Sequence, residues 1–292
     1  AWGAGGALLV MLGAGWMAYA SAREPAAFWG DHFWPASSFL LAAPLAAALG
    51  VGYRQIRQAG ELRLVRDAFG AYVGEEVLRQ MGGRMPELGG ETREIAVLFC
   101  DIQGYTALAE TLRDDPVALM GALNAHFEPL VAALKARGAY ADNYVGDLVM
   151  ALFGAPVSRG SLAADTMQAV LAALDFVRIV EERNQARRAA GEVPIEVGIG
   201  VHCGAAVVGN LGTKSKIHYT AIGDAVNIAS RVESATRHYE TSLLVTEEVM
   251  QACREQPESQ KLRWQFVDET TVKNRVAPVR LYRVTAPSGV LA

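Results

Sequence analysis

Charged residues are missing from two stretches near the start of this 292-residue chain. None occurs from Ala1 to Ala22 or from Ala36 to Tyr53, whereas they recur at ordinary density from Arg54 onward. The charged share of the whole chain is 20%, below the roughly 25% that is usual for soluble domains. Because the deficit lies near the N-terminus, it argues against a plain cytosolic globule and indicates membrane segments.

Cysteine and basic residues are also in short supply. The three cysteines, Cys100, Cys203 and Cys253, lie far apart and form no Cys-x-x-Cys pair, which argues against a disulfide framework and a zinc cage. We expect them to be buried neutral thiols. The net charge of −4 gives no basic excess, so we expect no nucleic-acid partner. A hydrophobic share of 51% excludes disorder.

The two uncharged stretches have the length of membrane spans. As helices, 22 and 18 residues measure about 33 and 27 Å, against a hydrocarbon core of about 30 Å. Trp16, Tyr19 and Tyr53 lie near segment ends, where aromatic residues favour the membrane interface. The alternatives are a signal peptide, which would begin with Met and a basic region, and a buried hairpin. We predict two transmembrane helices with a short external loop within residues 1–53.

The flanking charges predict the orientation of these spans. Four arginines follow the second segment within a short distance: Arg54, Arg57, Arg63 and Arg66. The positive-inside rule then places everything after Arg54 in the cytoplasm, so we expect a multi-pass protein of the cell (inner) membrane whose larger, C-terminal part is cytoplasmic. Because the sequence starts with Ala1 rather than Met, we expect a preceding part with an extracellular sensor domain.

Residues 54–92 have the pattern of a connector. Leu62, Val65, Phe69 and Tyr72 are spaced three, four and three apart, which suits a seam with a partner helix or an amphipathic helix packed on its own domain. The glycines and proline between residues 82 and 90 then break the pattern. We expect a cytoplasmic domain over residues 93–286 and a tail over residues 287–292.

The cytoplasmic part alternates between strand and helix patterns, which predicts one α/β (α+β) domain of ordinary size. The expected strands cover Ile95–Cys100, a hairpin over Tyr140–Phe153, Ile195–His202, Lys216–Ala221, Ser242–Thr246, Trp264–Val267 and Val279–Val284. The expected helices run from an Asp115-Pro116 start to Gly138, then over Leu162–Ala190, Ala225–His238 and Glu247–Ala252.

Two aspartates follow predicted strands. Asp101 comes directly after the apolar run that ends at Cys100, and Asp147 lies at the tip of the predicted hairpin. A carboxylate at a strand end, before a glycine-containing turn into a helix, can hold a metal while backbone N–H groups meet a phosphate. Two such carboxylates suit a pair of Mg²⁺ ions. Taken alone, either residue is more often a cap or turn residue.

A third polar segment leads into a helix. Asn227 and Arg231 are four residues apart, so they share one helix face, where they could orient a ribose and neutralise phosphate charge. Taken alone, this segment reads as a helix surface capped by Asp224. Lys273 by itself reads as an exposed loop lysine.

Taken together, the segments closely resemble class III nucleotidyl cyclases. The matching motifs are Phe99-x-Asp101-Ile102-x-Gly104-Tyr105-Thr106, Tyr144-x-Gly146-Asp147 leading to Phe153-Gly154-Ala155-Pro156, and Gly223-Asp224-x-Val226-Asn227-x-Ala229-Ser230-Arg231, followed by Val272-Lys273. The resemblance covers about residues 93 to 284. It implies a ferredoxin-like nucleotidyl cyclase sheet with flanking helices and a head-to-tail homodimer with active sites at the interface.

The resemblance also implies roles for individual residues. Asp101 and Asp147, with the carbonyl of Ile102, would hold two Mg²⁺ or Mn²⁺ ions. Asn227 and Arg231 of the other protomer would position the ribose and stabilise the transition state. Further substrate-binding positions would be Gly104, Tyr105, Thr106, Asn143, Gly146, Thr220 and Lys273. The implied reaction is ATP to 3′,5′-cyclic AMP and pyrophosphate, which makes the chain a membrane-anchored adenylate cyclase.

Two positions depart from the family pattern. Adenine-selecting members have Lys where Asn143 stands, and the partner position, often Asp, is Thr220, a variant found in a bicarbonate-responsive subset. Both are uncharged hydrogen-bonding groups, and neither is the Glu or Cys of guanylyl cyclases. Base choice therefore leans to ATP with weakened discrimination. In the loop around Lys273, Asn274 and Arg275 replace the family's Gly and Lys.

Several alternatives remain open. Asn143 also suits a catalytically weak or inactive nucleotide- or anion-binding regulator on the same fold, or a cyclase with relaxed or GTP base preference. A diguanylate cyclase needs a different hairpin sequence from Val145-Gly146-Asp147. A response-regulator receiver could use Asp101 but would not explain Asn227 and Arg231.

Overall fold

The computed structural model describes residues 49–55, 57, 88–213, 216–270 and 278–287. Residues 49–55 are helical. The first predicted membrane span, most of the second, and the connector pattern from Leu62 to Tyr72 lie outside the described residues, so these remain predictions.

Strands and helices alternate between Gly89 and Thr285. The strands are β1 (Gly89–Gln103), β2 (Tyr140–Val145), β3 (Leu148–Phe153), β4 (Glu196–Thr213), β5 (Lys216–Ile222), β6 (Leu243–Thr246), β7 (Arg263–Thr270) and β8 (Val279–Thr285). The helices are α1 (Tyr105–Thr111), α2 (Pro116–Ala136), α3 (Leu162–Ala189), α4 (Asp224–His238) and α5 (Glu247–Cys253), with a 3₁₀ turn at Pro257–Lys261.

The eight strands form one mixed sheet in the order β2-β3-β1-β4-β6-β8-β7, with β5 paired to β4. Strand β1 runs antiparallel to β4 through its whole length, from Gly89 opposite Asn210 to Gln103 opposite Glu196. β4 and β6 are parallel, and the other strand pairs are antiparallel. The predicted mixed α/β fold with a central sheet and flanking helices is therefore confirmed.

The two faces of β1 belong to different cores because side chains alternate along a strand. Ala96, Leu98 and Cys100 pack with α2, α3 and α5. Ile95, Val97 and Phe99 pack on the other face with Ala225 and Ala229 of α4. Asp101 continues the second series, so it points to the α4 face just where the apolar run ends.

The sheet is curved enough to bring β5 back against β2, although β3, β1 and β4 separate them in the strand order. Tyr140 Oη of β2 donates a hydrogen bond to the Tyr219 carbonyl of β5 (3.3 Å), and the two rings meet edge to face. The β4–β5 hairpin and α4 together cover the apolar face that carries Ile95 and Val97.

Local sequence signals account for the helix starts. The Asp115 carboxylate accepts a hydrogen bond from the Ala118 N–H (2.9 Å), and Pro116 opens α2 as predicted. Ser161 caps α3 through the Ala164 N–H (3.1 Å). Helix α4 begins differently from the expectation, because Gly223 is its N-cap and Asp224 is its first residue, without a side-chain cap.

Three strands are clearly longer than predicted: β1, β4 and β7, the last of which covers Arg263–Thr270 instead of Trp264–Val267. The break expected at Gly89-Gly90 is wrong, because both residues belong to β1, which starts four residues before the expected domain boundary at Arg93. β4 extends beyond His202 to Thr213. Glycines at 204, 209 and 212 interrupt the alternation of apolar side chains along β4, although its ladder with β1 and β5 continues.

Within the described residues, the helix Pro116–Ala136 alone is long and apolar enough to cross a membrane. It is α2, and Leu130 and Leu134 on its inner side are buried in the core against α3. Packing accounts for this inner side, whereas Val117 and Met120 near the start of α2 are exposed. The expectation for the three cysteines is confirmed, because Cys100, Cys203 and Cys253 are free and buried, and burial raises the pKa of each thiol.

Candidate active site

Asp101 and Asp147 come together at one end of the sheet. Asp101 lies near the end of β1, and Asp147 lies in the tight turn between β2 and β3. Gly146 makes this turn with φ of +67°, a left-handed conformation that favours glycine. The Asp147 carboxyl group is near enough to raise the pKa of Asp101. The structure therefore joins two side chains that the sequence leaves 46 residues apart.

Helix α4 adds two further charged groups to this pair. The Arg237 guanidinium forms an ion pair and hydrogen bond with Asp101 Oδ2. Glu233, one helical turn before Arg237, is 4% exposed as a residue. Burial and the charges of both aspartates raise the pKa of its carboxyl group. We call Asp101, Asp147, Glu233 and Arg237 the carboxylate cluster; it has three acidic groups and one basic group.

Glycines in β4 allow α4 to approach this closely. A Cβ atom on Gly198, which pairs with Asp101, would lie 2.4 Å from Thr236 Oγ1 and 2.9 Å from Glu233 Oε1. On Gly200 it would lie 2.1 Å from the Glu233 backbone nitrogen. Larger residues at these positions would push α4 away from the end of β1.

Asp101 and Glu233 resist ionisation. Burial, together with the nearby Asp147, raises the pKa of Asp101 to about 6, although Arg237 opposes this shift. Burial and the Asp101 charge raise the pKa of Glu233 to about 7. Glu233 Oε1 is buried and accepts no hydrogen bond from the described residues. Such an excess of closely spaced carboxylates is relieved by a cation.

The donor set fits a divalent cation of the magnesium type. Mg²⁺ is usually held by one or two carboxylates together with substrate phosphates and water, rather than by an all-protein cage. Within the described ranges, no group of three or more His, Cys, Asp or Glu residues is arranged to hold a metal. Asp101 and Asp147, with the neighbouring Ile102 carbonyl, therefore suit a site that substrate phosphates complete.

Asn227 and Arg231 lie on a different stripe of α4. At 3.6 residues per turn, their stripe is about 120° around the helix from Glu233 and Arg237. Asn227 is exposed and Arg231 is partly exposed. Helix α4 thus presents Glu233 and Arg237 to Asp101 of its own chain. Asn227 and Arg231 form a second polar stripe that faces a different direction.

Thr220 belongs to a second polar group, between β2 and β5. Its Oγ1 donates a hydrogen bond to Asp142 Oδ2 (2.6 Å). His218 Nε2 lies 3.0 Å from the Asp142 main-chain oxygen and 3.1 Å from Oδ1. Asn143, next to Asp142, is exposed beside an irregularity in the β2–β3 register. We call Asp142, His218 and Thr220 the hydroxyl cluster.

The remaining predicted residues fall into two groups. Gly104 has φ of +81° and precedes Tyr105, the first residue of α1, so the expected glycine turn into a helix is present. The side chain of Thr106 and the whole of Lys273 lie outside the described part of the chain, and their roles stay predictions.

A cavity of about 300 Å³ lies between the start of β1 and the β4–β5 hairpin. Thr220 is on its lining, together with apolar residues such as Val207, Leu211 and Ile222. Neither Asp101 nor Asp147 lines it. The cavity is therefore associated with the hydroxyl cluster and not with the carboxylate cluster.

The chain belongs to the family described as the adenylate and guanylate cyclase catalytic domain, whose model matches residues 89–285. The described sheet and helices thus form a nucleotidyl cyclase catalytic domain, as the motif resemblance indicated.

Individual relatives support this assignment. The adenylate cyclase of Anabaena cylindrica is 32% identical over 249 residues, which cover 83% of this chain and 46% of that protein. Adenylate cyclase 1 of Rhizobium meliloti is 33% identical over 206 residues, which cover 67% of this chain and 30% of that protein. The chain therefore spans less than half the length of these two relatives.

Solved structures of both nucleotide classes are similar to this chain. The adenylyl cyclase CyaB from P. aeruginosa superposes with a TM-score of 0.62 and 30% identity, over 70% of this chain and all of that chain. The guanylyl cyclase Cya2 superposes with a TM-score of 0.59 and 27% identity, over 69% of this chain and 97% of that chain. The fold is thus compatible with either purine base.

Sequence reasoning missed four residues of the two clusters: Glu233, Arg237, Asp142 and His218. Glu233 and Arg237 are four apart on the helix that carries Asn227 and Arg231, so their spacing was a usable signal. Asp142 directly precedes Asn143, but its partner Thr220 is 78 residues away, and a single sequence gives no sign of that contact.

Proposed function

We propose that this chain is an adenylate cyclase, which converts ATP to 3′,5′-cyclic AMP and pyrophosphate. The 3′-hydroxyl oxygen of the ribose attacks the α-phosphorus, the bond to the oxygen that bridges the α- and β-phosphates breaks, and the hydroxyl proton is lost. The observation that carries this proposal is the carboxylate cluster, where acidic groups outnumber basic ones at the end of β1.

The chain's own residues would bind and orient the triphosphate end. Asp101, Asp147 and the Ile102 carbonyl would hold two Mg²⁺ or Mn²⁺ ions, which supply positive charge to the attacking oxygen and the leaving pyrophosphate. The loop at Gly104 and Tyr105 would lie along the phosphates. Lys273 would meet the terminal phosphates.

The second stripe of α4 favours a homodimer. Asn227 and Arg231 point about 120° away from Asp101 around the helix, so we assign them to the site of a second copy, where they would position the ribose and neutralise developing charge. Val207, Leu211 and Ile222 are large apolar residues left exposed on the β4–β5 hairpin. An exposed apolar surface of this kind suits a contact with the second copy.

Base recognition would fall to Asn143 and Thr220. Both are uncharged, and Thr220 lies beside an apolar cavity that can accept a planar base. We assign ATP as the preferred substrate, with weaker discrimination against GTP than a charged pair would give. The uncharged, exposed Asn143 favours a second candidate function, a nucleotide-binding regulator with little turnover.

The remainder of the proposal concerns location. The uncharged stretches and the arginines after Tyr53 support a catalytic domain anchored on the cytoplasmic side of the inner membrane. An extracellular sensor domain upstream would then control the geometry of the dimer.

The test is turnover by the full chain with Mn²⁺ and either ATP or GTP, measured as cyclic nucleotide and released pyrophosphate. We expect cyclic AMP to dominate and to disappear in Asp101→Ala. Dominant cyclic GMP would keep the reaction and overturn the base assignment. A folded, nucleotide-binding chain that forms neither product would favour the regulator.

A further inference from the structure

Asp142 is a buried carboxylate outside the predicted catalytic set. Its side chain is fully covered, yet it lies next to Asn143 and contacts Thr220, the two positions to which we assign base recognition. Burial raises the pKa of Asp142 to about 6, while Thr220 and His218 oppose this shift. Above that pH the carboxylate is ionised and can only accept hydrogen bonds.

The contact with Thr220 sets the direction of the threonine hydroxyl. A hydroxyl has one proton and two acceptor lone pairs. Since Thr220 Oγ1 lies 2.6 Å from Asp142 Oδ2, its one proton is committed to the carboxylate. A group that meets Thr220 from the cavity side therefore encounters a hydrogen-bond acceptor.

His218 holds this arrangement in place. It is two residues before Thr220 on β5, so both side chains share one face of the strand. Its Nε2 lies close to the main-chain oxygen and to Oδ1 of Asp142. His218 thus flanks the Asp142 carboxylate on the side of Oδ1, which accepts no hydrogen bond from the described residues, while Oδ2 accepts the hydrogen bond from Thr220.

The two purine bases present opposite groups at the relevant edge. Adenine has an exocyclic amine that donates, whereas guanine has the O6 carbonyl that accepts. An acceptor at Thr220 pairs with the amine and opposes the carbonyl. We propose that Asp142 is a specificity-determining positioning residue, which makes Thr220 an obligatory acceptor and so selects adenine. This inference rests on the proposed cyclase function and on the base assignment to Thr220.

The experiment compares nucleotide preference in the full chain and in four variants: Asp142→Asn, Thr220→Val, the double variant of these two, and Thr220→Ser. The probes are ATP, GTP and purine riboside triphosphate, which is ATP without the exocyclic amine. Dissociation constants come from equilibrium competition, and kcat/KM comes from turnover. Asn can either donate to or accept from Thr220, so Asp142→Asn frees the hydroxyl direction without changing the size of the side chain.

We expect Asp142→Asn to lower the ATP-to-GTP preference about tenfold, the usual scale for one hydrogen bond that distinguishes two bases. The advantage of ATP over purine riboside triphosphate should shrink in parallel. Thr220→Val should show the same loss, and the double variant should lose no more than Thr220→Val. Thr220→Ser, which keeps the hydroxyl, should retain the preference.

The matched control is Asp175→Asn, since Asp175 also pairs with a basic side chain (Arg137, 2.8 Å) but lies on α3. It should leave the preference unchanged. Equal weakening of ATP and GTP by Asp142→Asn, or additive losses in the double variant, would overturn the inference and leave the cyclase function standing. If Asp142→Asn does not fold, loss of preference in Thr220→Ser overturns it instead.

Failure of the proposed function has a different signature. A chain that makes no cyclic nucleotide can still be tested by competition binding of the three probes. If such a chain distinguishes ATP from purine riboside triphosphate, and Asp142→Asn removes that distinction, the inference holds without turnover. If the wild-type chain binds the two equally, the inference is wrong.

Discussion

The carboxylate cluster and the hydroxyl cluster each contain a buried aspartate whose pKa is raised to about 6, yet their surroundings differ. Around Asp101 the neighbours are two more carboxyl groups and one exposed arginine. Around Asp142 they are a hydroxyl and an imidazole, both within hydrogen-bond distance. Burial therefore leads to a charge excess in one place and to partial compensation in the other, where Oδ2 of Asp142 accepts a hydrogen bond and Oδ1 accepts none from the described residues.

The difference separates two kinds of work for a buried acid. In a group of carboxylates with too few basic partners, the negative charges repel one another. A cation relieves this repulsion, so such a group binds cations. A carboxylate that is hydrogen-bonded to side chains of its own protein fixes the orientation of those side chains, so its role is to position them. Changes in the first cluster should alter metal binding and turnover, whereas changes in the second should alter the choice of base.

The largest expected effect is that of Asp101→Asn. Removing one carboxylate from the carboxylate cluster should cost several kcal/mol of transition-state stabilisation, or about 10³-fold or more in kcat/KM. Mn²⁺ binding, measured by the signal of free Mn²⁺ in electron paramagnetic resonance, should weaken in parallel. Asp175→Asn is the control, and a variant that keeps a tenth of the activity would contradict the assigned role.

The second prediction concerns Gly200→Ala, which moves α4 without removing a charge. The new Cβ would lie 2.1 and 2.6 Å from backbone atoms of Glu233 and Ala229, so the free energy of unfolding should fall by about 1–3 kcal/mol or more. Metal affinity should change little, because α4 carries the acidic Glu233 and the basic Arg237 away from Asp101 together.

Gly204→Ala is the matched control in the same strand, since its nearest atoms would be 3.6 and 3.8 Å away. Denaturant unfolding of both variants checks the prediction. Equal stability of the two would show that α4 has room to move. The ATP-to-GTP preference of Gly200→Ala should stay near that of the wild type, because the hydroxyl cluster lies between β2 and β5.

Arg237→Gln should have a smaller effect of the opposite sign on metal binding. Arg237 is the basic partner of Asp101, and its side chain is 56% exposed, so the pair contributes only about 0–1 kcal/mol to stability. Without the arginine, a cation meets less competition for Asp101, and the dissociation constant for Mn²⁺ should fall several-fold.

Titration calorimetry measures this dissociation constant. The control is Arg178→Gln, which removes a surface ion pair with Glu182. Weaker binding in Arg237→Gln would mean that the arginine organises the site.

The smallest expected effect is a change in pH dependence. The pKa of Glu233 is raised from its ordinary value of 4.5 to about 7, so the folded chain binds more protons than the unfolded chain between these values. The contribution of Glu233 to the free energy of unfolding in EDTA should therefore be fully present below about pH 4.5. It should be lost as the pH rises to about 7.

Glu233→Gln should flatten this decrease, as measured by thermal unfolding at a series of pH values in EDTA. Glu196→Gln, at the start of β4, is an exposed control that should keep the wild-type slope. An unchanged slope in Glu233→Gln would assign the pH dependence to other groups.

Local signals in the sequence predicted most of the elements correctly. The Asp115-Pro116 start of α2 and the hairpin over Tyr140–Phe153 rest on short-range chemistry, namely a cap, a fixed proline φ and a glycine turn. The strand extensions from Gly89 and to Thr213 were missed, because glycines carry no side chain to show alternation while their backbone groups still pair.

The composition of the two clusters could be predicted only in part. Asp101 and Asp147 were recognised because motifs bracket them. The Asp101–Arg237 and Asp142–Thr220 contacts join residues 136 and 78 positions apart. They depend on how the sheet curves and on how closely α4 approaches β4, which are properties of the packed fold rather than of any local segment.

The continuous pairing of β1 with β4 has a mechanical consequence. β1 is the first strand within the described residues, and all 15 of its residues are in register with β4, from Gly89 to Gln103. A pull on the start of β1 along the strand loads these hydrogen bonds in shear, so that they share the force instead of opening one by one. The strand would then act as a stiff rod, and its far end carries Asp101.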